Sequence, residues 1–182
     1  IFWGIFSRSE ELDPILMNHF VRFIDRQFFL LRKIEQYSRV EALVYVDDVT
    51  GLYNQRKLFK DLDQAILRFD KYKEPFSVLF IDLDHFKLVN DGHGHLIGTK
   101  LLEDVAHLLK RQLRENDLIY RYGGDEFVAI LPEANSSNGK MVGERVLSSI
   151  LGHDFHYQDR INGQSKKFKL SASIGVAGYP ED

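Results

Sequence analysis

A chain of 182 residues with 44% hydrophobic content and 14 phenylalanines carries enough apolar surface for one ordinary domain and an appendage. Its net charge of −3 excludes a bulk attraction to a nucleic-acid polymer, and the lack of cysteine excludes disulfides and thiolate chemistry and suits a reducing compartment. No apolar stretch reaches transmembrane length, and the greasy start Ile1-Phe2-Trp3-Gly4-Ile5-Phe6 is too short to span and lacks a basic flank. It reads as the end of an upstream region.

Asp13-Pro14 is a helix start, with Asp as N-cap and Pro at the first helical position. No proline or glycine interrupts from there to about Val46. Leu16, Phe20, Phe23, Gln27, Leu30, Ile34, Tyr37, Glu41 and Val44 follow in steps of four and three, the seam of a two-stranded coiled coil. Met17, Ile24 and Leu31 add a second stripe. The expectation is that residues 1–46 are a signalling and dimerising helix at the tail of a sensory region. The plainer alternative is a helix packed on its own domain.

Gly51 stops this helix and Asn54 can cap the next, whose apolar positions are Leu58, Leu62, Ala65, Ile66 and Phe69. Pro75 precedes Phe76-Ser77-Val78-Leu79-Phe80-Ile81-Asp82, an almost continuous apolar run that predicts a strand buried on both faces. It ends in Asp82-Leu83-Asp84, and the carboxyl ends of such strands are where open α/β sheets place ligands. The plainer reading makes Asp82 and Asp84 caps of the short helix that follows. Gly92-His93-Gly94-His95 could form a His-x-His cation clamp, although such short patterns arise often by chance. Leu96, Leu101, Leu102, Val105, Leu108, Leu109 and Leu113 mark an amphipathic helix that ends at Arg114-Glu115-Asn116-Asp117.

Asp117 to Tyr122 and Phe127 to Leu131 read as two strands joined by Gly123-Gly124, since glycine adopts the positive φ that tight hairpin turns need. Asp125 and Glu126 stand at the exit of that turn. Adjacent carboxylates repel, and the choice makes sense where a divalent cation absorbs their charge. After Pro132, Asn135-Ser136-Ser137-Asn138 is a loop with capping chemistry ahead of a helix to about Leu151. Phe155 to Tyr157 and Lys167 to Gly175 read as strands flanking the turn Asn162-Gly163.

The string Arg121-Tyr122-Gly123-Gly124-Asp125-Glu126-Phe127 resembles the signature of the GGDEF family of nucleotide cyclases. Asp47-Asp48-Val49-Thr50-Gly51-Leu52-Tyr53-Asn54-Gln55-Arg56 is similar to the entry segment of that domain, with Val49 and Gln55 as mild departures. Ile81 to Asp91 resembles its metal- and substrate-binding segment, His95 matches a family histidine, and Ser171 to Ala177 looks like its late core strand. The resemblance covers about Asp47 to Ala177, so residues 47–182 are expected to form a GGDEF catalytic domain lacking a last helix and strand. The fold it implies is α/β: an α+β palm-like sandwich with a central, mostly antiparallel sheet flanked by helices, preceded by the long coiled-coil helix.

That resemblance assigns the roles. Asp82, Asp125 and Glu126 would be catalytic and, with the Leu83 carbonyl, would hold two Mg2+ ions per site, Mn2+ being the alternative. Lys87 would approach a phosphate and Asn90 would bond the base, with Asp91, Thr99, Arg121, Gly123 and Gly124 completing the substrate site. Arg114 and Asp117 resemble the product-binding inhibitory site, to which Arg145 would contribute. The implied activity joins two GTP into cyclic di-GMP with release of pyrophosphate, in a bacterial cytoplasmic homodimer inhibited by its product. Where diguanylate cyclases carry an Asp, this chain has Thr99, which resembles a hybrid subgroup that joins GTP and ATP into cyclic GMP–AMP. A carboxylate accepts only, whereas a hydroxyl donates and accepts, so Thr99 tolerates either base. The rival reading is a silent receptor that binds cyclic dinucleotide at Arg114 and Asp117.

Overall fold

The computed structural model describes residues 14–158 and 165–182. They divide into two compact units, with the division between Val44 and Tyr45. The first is carried by helix α1 (Pro14–Tyr45), which begins at the proline the sequence marks. On it the seam residues Phe20, Phe23, Leu30 and Ile34 are all exposed, as are Phe28 and Phe29 beside them. Among the described residues no helix is long and apolar enough to cross a membrane.

The second unit is built on a five-stranded sheet in the order β1-β3-β4-β2-β7. Its strands are β1 (Tyr53–Asn54), β2 (Phe76–Leu83), β3 (Leu118–Gly123), β4 (Glu126–Pro132) and β7 (Ala172–Tyr179). Only β1 and β3 run parallel; every other neighbouring pair is antiparallel. Helix α2 (Gln55–Tyr72) covers one face, where Leu58 joins Phe76, Tyr120, Val128 and Ile130. Helices α4 (His95–Gln112) and α5 (Ser136–Gly152) serve the other, against Leu79, Ile81, Phe127, Ala129 and Leu131. The short α3 (Phe86–His93) links β2 to α4. This is the mixed α/β architecture expected from the sequence, with a mostly antiparallel centre.

Local chemistry explains the boundaries. Asn54 caps α2 by accepting from the Lys57 N–H at 3.2 Å. Asn135 does the same for α5 through Asn138, so Ser136 to Asn138 form its first turn and not a loop ahead of it. The stretch Lys167 to Gly175 is not one strand. It divides into β6 (Ser165–Phe168), paired with β5 (Phe155–Gln158), and β7, paired with β2. The two ladders belong to different sheets, so the chain must turn between them, and Leu170 buries itself at the corner. Lys167 and Lys169 flank that corner and both pair with Asp154, at 2.7 and 2.6 Å. The turn expected at Asn162-Gly163 lies outside the described residues.

One buried polar group spans α2 and the sheet. The Tyr120 hydroxyl donates to Asp61 at 2.8 Å, and Lys57 donates to the other carboxylate oxygen at 2.7 Å. Asp61 is 7% exposed, so it depends on both donors. Burial, then the hydrogen bond to the Asp61 carboxylate, push the Tyr120 phenol well above its ordinary value. Ionisation is thus opposed in the fold and free in the unfolded chain. The resulting stability is intact below about pH 10 and is lost as the pH rises above it. Tyr120→Phe should cost about 1–3 kcal/mol at neutral pH by urea unfolding, by leaving Asp61 short of a donor. Its stability should also fall less steeply than the parent's above pH 10, and identical unfolding curves on both counts would show the hydroxyl to be idle.

Candidate active site

The hairpin between β3 and β4 differs from the expected Gly-Gly turn. Gly123 is still paired, opposite Glu126, and the two turn residues are Gly124 and Asp125. Only Gly124 takes a positive φ, of 53°, because the register shifts between Arg121 and Gly123 and Tyr122 is the extra residue of a bulge. The bulge turns the Arg121 side chain onto the turn. Its Nε and Nη2 donate to the Gly124 carbonyl at 3.0 and 2.8 Å, and its Nη1 reaches both oxygens of Asp47 at 3.1 and 3.2 Å.

Asp47 is itself held. Its carboxylate accepts from the Thr50 N–H at 2.8 Å and the Thr50 hydroxyl at 2.7 Å, and its own N–H bonds the Leu52 carbonyl. Burial alone would raise its pKa, but the Thr50 donors and the Arg121 guanidinium more than offset this and hold it below the usual carboxylate value. A side chain from the entry segment therefore fixes the arginine that fixes the turn.

The acids assemble by strand register. Asp82 is the direct partner of Glu126 across β2 and β4, and the Leu83 N–H donates to the Asp125 carbonyl at 3.3 Å. Like charges directly opposite destabilise a sheet. Among the described residues no lysine or arginine pairs with Asp82, Asp125 or Glu126 to relieve it. Hard oxygen donors of this kind suit Mg2+, which binds through one or two carboxylates and fills its shell with water and phosphate. Among the described residues no three His, Cys, Asp or Glu side chains gather into a group that could hold a metal by themselves. Asp84 is different, accepting from the Ser173 hydroxyl at 2.8 Å while its N–H bonds the Ser171 carbonyl at 2.9 Å. The Ser171 and then the Ser173 hydroxyl hold its carboxyl below the ordinary value. Neither acid caps α3, whose N-cap is His85 with no side-chain bond.

A cleft of about 240 Å³ opens beside the turn, lined by Lys87, Asn90, Thr99, Arg121, Gly124 and Asp125. Asp91 is exposed outside it, and Gly123 stays in the strand. Sequence reasoning missed three further lining residues, Phe86, Gly98 and Leu102. Gly98 had a signal, a glycine inside an amphipathic helix, which marks a close approach. His95 also lines the cleft, while His93 packs edge-on to Phe168 with centroids 5.0 Å apart. The His-x-His clamp does not form.

Arg114 and Asp117 meet elsewhere, in a cavity of about 460 Å³ that also takes in Tyr53 and Lys110. Asp117 accepts the Arg114 N–H at 2.8 Å, leaving the guanidinium out of that bond. Arg145 is not in this lining; its Nη2 donates to the Gln112 carbonyl at the end of α4.

A family model described as "Diguanylate cyclase, GGDEF domain" matches residues 44–182. The chain is 33% identical over 142 residues to diguanylate cyclase DgcP of Pseudomonas aeruginosa, covering 78% of this chain and 20% of that protein. It is 35% identical over 142 residues to response regulator PleD of Caulobacter vibrioides, covering 76% and 31%. The chain thus spans a third or less of these two relatives. Among solved structures, a GGDEF domain of YfiN from Pseudomonas aeruginosa matches with TM-score 0.68 and 33% identity, over 75% of this chain and 77% of that one. The coiled coil and GGDEF domain of DgcB from Caulobacter crescentus, in complex with c-di-GMP, shares the fold with TM-score 0.73 at 24% identity, over 87% and 81%.

The brace makes its own forecast. In Arg121→Ala the Asp47 carboxyl should titrate at higher pH, and the amides of Asp125 and Glu126 should exchange faster with solvent. Arg121→Lys should restore little, because a point charge cannot reproduce the fork. An unmoved Asp47 titration by NMR would mean that the arginine does not support the turn.

Proposed function

The chain belongs to the GGDEF-domain diguanylate cyclase family, and from that premise we propose that it condenses two GTP into cyclic di-GMP. In the reaction each 3′-hydroxyl attacks the α-phosphorus of the other nucleotide. The P–O bond to the β-phosphate breaks and pyrophosphate leaves. The observation that supports this reading is the Asp82–Glu126 pair next to a hairpin turn whose Asp125 lines one cleft with Asn90 and Lys87.

The residues divide the work. Asp82, Asp125, Glu126 and the Leu83 carbonyl offer oxygen ligands to Mg2+, which when bound polarises the α-phosphate, acidifies the 3′-hydroxyl and neutralises the departing pyrophosphate. Lys87 neutralises phosphate charge, and Asn90 presents its amide to the base. Arg121 commits donors on all three of its nitrogens to Asp47 and Gly124, so it acts by holding the turn. Two such domains must face each other, and the exposed apolar seam of α1 is suited to pairing them. A monomer in light scattering at working concentration would remove this part of the proposal. The cavity at Arg114 and Asp117 is proposed to take the product, because an arginine fork pairs with phosphate and guanine edges. The GTP supply would put the domain in the cytoplasm.

A second reading rests on Thr99, which lines the same cleft in place of a carboxylate. It makes the protein a hybrid cyclase that also accepts ATP.

The parent supplied with Mg2+, GTP and ATP should release pyrophosphate, with the products identified by mass spectrometry. Asp125→Asn should cut turnover by about a hundredfold or more while leaving the circular dichroism spectrum unchanged. Turnover within about tenfold of the parent would sink the assignment of Asp125, and no pyrophosphate from the parent would favour the silent receptor. Cyclic GMP–AMP in the mixture, shifting toward cyclic di-GMP in Thr99→Asp, would support the hybrid reading, and cyclic di-GMP alone would end it. In calorimetry, Arg114→Ala should bind cyclic di-GMP more weakly than the parent, and equal affinity would make that cavity irrelevant to product.

A further inference from the structure

The corner between α3 and α4 is made from three residues spaced four apart. Gly94 is at once the C-cap of α3 and the N-cap of α4, with φ 83° and ψ 160°. Its N–H donates to the Asn90 carbonyl at 2.8 Å, and its own carbonyl accepts the Gly98 N–H at 3.3 Å. The third link is a packing contact. A Cβ built on Gly98 would overlap Asn90 Oδ1 and lie 3.0 Å from Asn90 Cγ and 3.5 Å from Nδ2. The Asn90 carboxamide therefore points its oxygen at the bare backbone of α4 at Gly98, which is buried.

Among the described residues no hydrogen bond to the Asn90 side-chain amide is present, so its close contact with Gly98 is the restraint the structure shows. A carboxamide can read a purine only while its donor and its acceptor stay in place; turned over or swung away, it offers the wrong pattern. Thr99 follows Gly98 directly and lines the same cleft, so one backbone step carries both the seat and the second polar group.

We infer that Gly98 is a positioning residue for base selection: its missing side chain seats the Asn90 carboxamide and so sets which purine the cleft prefers. This rests on the reading of Asn90 as the base-contacting residue. A methyl group at Gly98 displaces the amide yet leaves Lys87 and the carboxylates where they are, so discrimination suffers and phosphate binding does not.

The test compares the parent, Asn90→Ala, Gly98→Ala and the double variant. Calorimetry would use inorganic triphosphate and the α,β-methylene analogues of GTP and ATP, which block the transfer. Gly98→Ala should lower the ratio of affinities for the two purines by about tenfold, leave triphosphate affinity unchanged, and shift the Asn90 side-chain amide signals in the NMR spectrum of the free protein. In the Asn90→Ala background the same substitution should have no further effect on the ratio, because nothing is left to displace. A parent-like ratio in Gly98→Ala, or equal additional losses in both backgrounds, overturns the inference. Should Gly98→Ala fail to fold, a folded double variant supports the seat and an unfolded one overturns it. A parent that binds neither analogue refutes the cyclase reading, an outcome distinct from a selective parent with an equally selective Gly98→Ala.

Discussion

The register of β2 is the constraint on which the site depends. The strand is paired along its length on both sides, with β4 from Phe76 to Asp82 and with β7 from Phe76 to Leu83. Leu79, Ile81 and Leu83 enter the larger core, and this parity sends Asp82 to the opposite face. A slip of one residue would drive Asp82 into that core and take Leu79, Ile81 and Leu83 out of it, at a cost of several well-packed side chains at about 1.5–3 kcal/mol each. The apolar residues therefore fix where the acid stands. Glu126 meets it because β4 obeys the same alternation, with Phe127, Ala129 and Leu131 inward. Repulsion between the two carboxylates is small against that sum, so the core can hold them face to face.

What could be read from the sequence was what is local. The α2 cap at Asn54, the buried run of β2 and the two strands of the hairpin follow from spacing and capping chemistry over short windows. Six residues expected around the substrate do line one cleft, because most of them sit on the β2–α4 segment and the turn, whose motif is contiguous. Long-range pairing was out of reach. The partner of Arg121 is 74 positions away, and no periodicity announces that Asp47 and the turn share one guanidinium. Lys167 to Gly175 was misjudged for a related reason: a run of strand formers cannot tell which sheet each half will join. Arg145 was placed by analogy, whereas its guanidinium reaches the Gln112 carbonyl, outside the lining of the Arg114 cavity.

Two kinds of rigidity meet around the cleft. On the hairpin side, charged hydrogen bonds dominate, with Arg121, Asp47 and Thr50 satisfying one another in a half-buried chain. On the helical side there is little polar fastening, and the absence of side chains at Gly94 and Gly98 sets the geometry. The first is sensitive to charge, the second to volume. A substitution that respects one rule can break the other, which is why residues of such different chemistry serve a single opening.

The shared cap at Gly94 also has an electrostatic side. A helix carries roughly half a positive charge at its amino end and half a negative charge at its carboxyl end. At this corner the carboxyl end of α3 and the amino end of α4 coincide on one residue, and the hydrogen bonds through Gly94 join one to the other. Their partial charges largely cancel. An 18-residue helix would ordinarily draw an anion to its first turn, but this one opens against its predecessor's negative pole. The corner beside Asn90 thereby offers an anion little from its two helix ends.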